Sequence, residues 1–349
     1  MNFKKFSAIM IILVLVFTFI SGCSTQPAQE KKAEPSTEKS AEQPAEKKSS
    51  YPDKPITIIA ASNAGGGWDL TARNSAKVLN EEKIVSAPIK VQNIVGGGGS
   101  LGFQQFVENH KADPYTLIAT SAAMIANPVA QGWPYDHNNI TPLARLFVDY
   151  EMLVAKKGSK WDSAEKLFEA LKNDPKSITI GGETPPGTDY IAFVMALVEK
   201  GIDVSQINWV SYEGAGEAIP ALLGGHIDVS IATAGEWVSQ IKSGQLQGIG
   251  IFSEERLEGE LNNIPTMREQ GINVVFGNWR GLWGPPNMPK AEYDYWVDAL
   301  TKMNESQAWK DVLTKMQWVP WFKTDNLDQW LDGEKENMVK AMKAAGILK

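Results

Sequence analysis

PITIIAASNAGGGWDLTARNSAKVL, residues 55–79, is the stretch from which the rest of the chain is read. A short β-branched run, Ile56–Ile59, has the length and composition of a buried parallel strand. The run breaks at Asn63-Ala64-Gly65-Gly66-Gly67 and resumes with a helical period, in which Leu70, Ala72, Ala76 and Leu79 fall near one face. Glycines let backbone approach a ligand, and the first N–H groups of a helix lack intrahelical partners and carry partial positive charge. An anionic group fits such a place without any basic side chain. Taken alone, the geometry fits an ordinary strand-to-helix turn equally well.

The same unit recurs along the chain. Ile89–Val95 reads as a strand leading into Gly96-Gly97-Gly98-Gly99-Ser100 and a helix from Leu101 to about Asn109. Tyr115–Thr120 is a third strand, ending at Ser121-Ala122-Ala123. Leu143–Lys156 reads as a strand pair that crosses into a second α/β unit. There Ser177–Ile180 runs into Gly181-Gly182-Glu183-Thr184-Pro185-Pro186-Gly187 and the helix Thr188–Lys200. Strands at Ile207–Tyr212, His226–Ala232 and Leu246–Phe252 alternate with helices ending near Leu223 and Ser243. Trp279–Trp283 re-crosses between the units, and the remainder is read as helical. Alternating strands and helices predict an α/β fold with a mainly parallel sheet. Two lobes that each turn helix N-termini toward a shared cleft suit a carboxylate ligand.

The 349 residues suffice for one large or two medium domains, and 43% hydrophobic with 21% charged residues is ordinary for a globular chain. A net charge of −7 argues against nucleic acid or an anionic membrane surface as a partner. Lys4 and Lys5 precede the apolar run Phe6–Ile20, which ends at Ser21-Gly22-Cys23, the pattern of a secretory signal. The run is shorter than the roughly 20 residues a membrane span needs. The single cysteine stands where cleavage would leave it first, which resembles the lipobox of bacterial lipoproteins. Residues 1–22 are thus expected to be a signal peptide and Cys23 a lipidated anchor. Ser24–Ser50 has no Leu, Ile, Val or aromatic residue, and its five Lys and five Glu cancel, so it is expected to be a disordered tether. A flexible coil of that length spans roughly 30 Å.

Enzymatic readings find less support. Gly97-Gly98-Gly99-Ser100-Leu101-Gly102 fits G-x-G-x-x-G, but the next strand ends in Ala119-Thr120-Ser121, with no acid to hold a ribose. The same loop fits G-x-S-x-G with Ser100 as a hydrolase nucleophile, and an exported serine esterase is the rival function. His110 closes the helix that Ser100 opens, about 15 Å along its axis, too far to act as the base. His110, His137, His226 and one cysteine have no zinc spacing. No cofactor or metal is expected.

The chain resembles the substrate-binding proteins of tripartite tricarboxylate transporters, the Bug or tricarboxylate-receptor family, from about Tyr51 to Lys349. The resemblance is carried by Tyr51-Pro52-Asp53-Lys54-Pro55-Ile56, by Gly65-Gly66-Gly67-Trp68-Asp69 with Ala72-Arg73, and by Gly98-Gly99-Ser100-Leu101-Gly102. Pro134-Tyr135-Asp136, Ala221–Asp228, Ile264-Pro265-Thr266 with Glu269, and Trp279-Arg280-Gly281-Leu282 extend it. It implies a two-lobed fold of the type II periplasmic-binding-protein kind, with a hinge and an interlobe cleft. Lobe 1 would span 51–150, completed by 284–349, and lobe 2 would span 151–283. It also implies an extracytoplasmic receptor, here anchored to the membrane through Cys23. Such a receptor hands a small carboxylated solute, an organic acid or an amino-acid-like molecule, to a permease of one large and one small subunit. A receptor domain feeding a sensor would have the same sequence features.

The ligand-binding residues expected on this basis are Ala64, Gly65, Gly66, Gly67, Trp68, Asp69, Ser121, Gly187, Thr188, Asp189 and Trp279. Helix N-termini after Gly67 and Gly187 would cradle one carboxylate, with Trp68 or Trp279 against the apolar part. Asp69 and Arg73 could instead form a surface i, i+4 pair. The second-lobe loop departs from the family's Gly-Ser-x-Gly-x-Gly-Ser, being longer and carrying Glu183 and two prolines. Glu183, Asp189, Glu213 and Glu217 crowd that lobe's loops. Two or more of them in the cleft would oppose a pure polyanion and favour a ligand with a cationic group.

Overall fold

The computed structural model describes residues 51–349. The leader, Cys23 and the segment 24–50 lie outside the described residues. Chain order begins β1 (Ile56–Ala60), α1 (Gly67–Glu81), β2 (Ile89–Asn93), α2 (Ser100–Asn109), β3 (Thr116–Ser121) and α3 (Ala123–Gln131). It continues with β4 (Thr141–Lys156), α4 (Ala164–Asn173), β5 (Thr179–Glu183), α5 (Thr188–Glu199), β6 (Asn208–Tyr212), α6 (Ala215–Gly224), β7 (Val229–Thr233) and α7 (Ala234–Lys242). β8 (Leu246–Ile251), β9 (Gly277–Gly284), α8 (Lys290–Glu305), α9 (Gln307–Met316), β10 (Val319–Lys323) and α10 (Leu327–Ala344) complete it. Local rules account for many of these elements. β3 is buried on both faces, as a central strand of an α/β sheet must be. In α4 the Ser163 side chain accepts from the Lys166 N–H, and Ala164, Leu167, Phe168 and Leu171 form its buried stripe.

The strands run β2-β1-β3-β9-β4-β7-β5-β6, with β8 and β10 also paired to β4. β4 is one strand of 16 residues where the sequence suggested a pair. Its first part, Thr141 to Tyr150, pairs antiparallel with β9, and β10 joins it through Val148 and Val319. From Glu151 onward it pairs with β7 and β8 instead. The two acids Asp149 and Glu151, which look like a break in an apolar run, lie at this change of partners.

The core follows the same division. One cluster gathers Ile58, Trp68, Phe103, Phe147, Trp279, Trp283, Trp296, Trp309 and Trp318 around β1, β3, β9 and the start of β4. Two others flank the remaining strands, one with Leu153, Phe168, Ile180 and Phe193, the other with Met152, Leu222, Trp237 and Ile251. Three further features set the course of the chain. β9 pairs with β3 from Ile118↔Trp283 to Ser121↔Arg280, so residues 277–283 belong to the first sheet half and the chain has returned before Gly277. Met342 of α10 and Ala126 of α3 lie in the cluster around Phe193, so α10 does not serve the first half alone. β10 interrupts the helical C-terminal region.

Candidate functional site

A narrow cavity lies where the glycine loops meet, with about 20 Å3 open to the centres of water-sized molecules. Ala61, Ser62, Gly67 and Trp68 line it together with Gly98 and Asn127. Glu183, Thr184, Gly187, Tyr212, Glu213, Gly214, Glu236 and Arg280 complete the lining. The loops touch across it. Asn63 Nδ2 donates to Glu217 Oε1 at 2.5 Å, and Gln131 Nε2 donates to the Pro185 carbonyl at 3.3 Å. A Cβ on Gly216 would lie 2.5 Å from the Ala64 carbonyl oxygen.

The first glycine loop is held by its own helix. Asp69, in the first turn of α1, is 1% exposed and accepts from the Gly65 N–H at 2.9 Å, from Arg73 Nε at 2.8 Å and from Asn93 Nδ2 at 2.8 Å. Burial alone would raise its pKa, but these donors outweigh burial and hold it below the usual carboxylate range. Asp69 therefore shapes the loop and does not line the cavity. Ser121 accepts from Trp68 Nε1 at 2.9 Å and from the Ala123 N–H at 3.2 Å, which fixes the Trp68 ring at the cavity wall. Gly96 to Gly99 all have positive φ, and a Cβ on Gly99 would sit 2.6 Å from the Trp68 ring. Four residues of left-handed backbone make a loose turn, unlike the strained single-residue elbow that a Ser100 nucleophile requires. His110 faces Asp113 and His137 faces Asp332.

A basic side chain that the sequence reading passed over stands at the start of α1. A Cβ on Gly67 would collide with the guanidinium of Arg280, so only glycine admits Arg280 there. Arg280 is 3% exposed, its NH2 group lies 3.4 Å from Thr233 Oγ1 and 4.0 Å from Glu236 Oε2, and its Nε has no hydrogen-bond partner. Trp279, expected against the ligand, points the other way because neighbouring residues of a strand alternate faces. It is 1% exposed and packs on Trp283 and Trp330 in the core.

The second loop differs from the symmetric cradle that was expected. Glu183 Oε2 accepts from the Thr188 N–H at 3.0 Å and from Thr188 Oγ1 at 3.2 Å, so the start of α5 already holds a carboxylate of its own. Burial, helped by nearby Glu236, raises the Glu183 pKa. Thr188 and Asp189 are buried behind the cavity. Asp189 accepts from the Glu183 N–H at 3.0 Å, and burial pushes the Glu151 carboxyl up to about 8 and raises Asp189 well above the usual carboxylate range. Asn278 donates to Glu151 at 3.2 Å and to Thr188 Oγ1 at 2.8 Å, which ties β9, β4 and α5 together. Of the eleven expected residues, the cavity brings together Gly67, Trp68 and Gly187. Ala64, Gly66, Asp69, Ser121, Thr188 and Asp189 support its loops, Gly65 borders a separate wider groove, and Trp279 is in the core. Among the described residues no cluster of three or more His, Cys, Asp or Glu is placed to hold a metal ion.

A family model for the tripartite tricarboxylate transporter family receptor matches residues 72–345. The chain belongs to that family. The receptor is 27% identical over 282 residues to a protein of Cupriavidus necator described as lying in the gbd 5′ region, covering 78% of this chain and 81% of that one. Its fold is similar to that of the periplasmic binding protein BugD, with a TM-score of 0.77 at 21% identity over 85% of this chain and 99% of BugD. It is also similar to MatC of Rhodopseudomonas palustris with bound malate, with a TM-score of 0.73 at 20% identity over 84% and 100% of the two chains. The fold is thus the α/β architecture of periplasmic binding proteins, and the family is one of transporter receptors. Among the described residues no helix of the receptor is long and apolar enough to cross a membrane.

Proposed function

We propose that this receptor captures a small carboxylate-bearing solute in the cavity between Gly67, Trp68, Gly187 and Arg280. It then passes the solute to a permease of one large and one small membrane subunit. The observation that carries this reading is the buried Arg280 guanidinium, seated against the first residue of α1 with its Nε unpartnered. A carboxylate there would meet a fixed positive charge and the N–H groups of Gly67 and Trp68, which have no intrahelical acceptor. The malate bound to MatC supports a carboxylate as ligand. The work is binding, not catalysis.

Lobe 1 would comprise residues 51–150 and 277–349, and lobe 2 residues 151–276. The hinge would lie at 149–151 beside 276–278, where β4 changes partners and the chain returns. Closure shifts the population toward a state in which the solute touches both lobes. Cys23 would tether the receptor to the membrane by its lipid, with residues 24–50 as the string. Calorimetry on the wild type and on Arg280→Gln tests the site, using the organic or amino acid that most raises Tm in a screen. Loss of one charge-assisted contact predicts about 10- to 100-fold weaker binding in a variant that circular dichroism shows to be folded. Equal affinity would remove Arg280 from the site.

A further inference from the structure

The cavity is acidic. Glu183, Glu213 and Glu236 line it against the single cation Arg280. Two of the three acids have structural partners. Glu183 caps α5, and Glu236 accepts from Thr233 Oγ1 at 2.9 Å, the Thr233 N–H at 3.4 Å and the Ala215 N–H at 3.3 Å. Glu213 is held only by the Gly98 N–H at 3.5 Å. The other side of the same residue is fixed by Asn127, whose Nδ2 donates to the Gly98 carbonyl at 3.0 Å. That bond sets the orientation of the amide, so Asn127 Oδ1 is the acceptor. It is buried, with the residue 2% exposed, and has no hydrogen-bond partner. Asn127 lines the cavity, as does Glu213.

A buried acceptor without a donor is costly, and carboxylates that line the same cavity favour a donor that is also a cation. The start of α5, the second place an anion could dock, is taken by Glu183. We infer that the cavity binds a zwitterion, in which Glu213 and Asn127 Oδ1, with the free oxygen of Glu183, receive a protonated amine. This rests on the assignment of Arg280 and the start of α1 to the carboxylate. A polycarboxylate without an amine would place its further charges among Glu183, Glu213 and Glu236, where repulsion in a desolvated site is strong.

The test uses probes matched in their carboxylates and differing in the amine. Aspartate is compared with succinate, 4-aminobutanoate with butanoate, and glycine with acetate, by calorimetry on the purified protein in EDTA. At least one amino member should bind tenfold or more tightly than its partner. Glu213→Gln and Asn127→Leu, checked for folding by circular dichroism, should bring that ratio to within threefold while the Arg280 dependence remains. Arg280-dependent binding without preference for the amine would overturn the inference and leave the carboxylate site standing. Amine preference with no effect of Arg280→Gln would instead remove the carboxylate site. If no amine-bearing probe binds, or if succinate binds tighter than aspartate, the zwitterion assignment falls.

Discussion

Gly67 and Arg280 form the pair on which the site depends, and neither could be replaced without the other noticing. Gly67→Ala would place a methyl group where the guanidinium sits, and the chain's cheapest response is to swing Arg280 away. Gly67→Ala is therefore expected to weaken binding about as much as Arg280→Gln. The double variant should be no worse than either single one, a coupling that a double-mutant cycle measures. Additive losses would mean that the two act separately. Glu151 gives a second test at this scale. Its carboxyl is raised to about 8 by burial and by Glu183, while Arg280 opposes the shift, so the folded chain keeps a proton that the unfolded chain releases above about 4.5. Stability from this group is full at low pH and is lost progressively between about pH 4.5 and 8. Tm should fall across that range, and Glu151→Gln, which offers Asp189 an amide donor, should flatten the fall. An unchanged slope would place the pH dependence elsewhere.

At the scale of elements, β4 is the member shared by both halves of the sheet. Its backbone is paired with β9 and β10 before Tyr150 and with β7 and β8 after it. Its central amides, from Leu146 to Val154, should be among the slowest to exchange with deuterium. Fast exchange there would show that the two halves are not joined by a continuous strand. In contrast, Ser163→Ala removes only the N-cap of α4, and should cost about 1 kcal/mol in stability with no change in ligand affinity. Much of this organisation was legible. The strand–glycine–helix units, the helix starts and most helices follow from local pattern. What escaped did so for physical reasons. Pro320 sits in β10, a strand of mixed burial with an irregular pairing to β4, and proline disguises such strands. α3 is apolar nearly all round and contains Pro128, so no 3.6-residue period marks it. Leu143–Lys156 reads as two strands, but Asp149 is buried within a single β4, satisfied by the Gly235 N–H at 3.0 Å and Trp318 Nε1 at 2.8 Å.

For the whole molecule, the sequence pointed to the cavity's first loop and to Glu183 and Glu213, but not to Glu236 or Arg280. Which face of Asn278–Trp283 meets the cavity depends on the partners of β9, and these are far away in sequence. The sequence reading puts the aromatic Trp279 at the ligand, but Arg280, its neighbour on β9, is the one that lines the cavity. Likewise nothing local announces that Glu183 turns back to cap the helix following it. The lobes should close on ligand, since acceptors and donors on both sides of the cavity are needed to hold it. A smaller radius of gyration with ligand, by solution scattering, is the expected outcome, and an unchanged one would argue for a rigid body. The most direct measurement is a crystal structure with the solute that most raises Tm. The account predicts its carboxylate within hydrogen-bond reach of Arg280 and of the Gly67 and Trp68 amides. A solute bound in another groove, or one whose carboxylate sits away from Arg280, would contradict it.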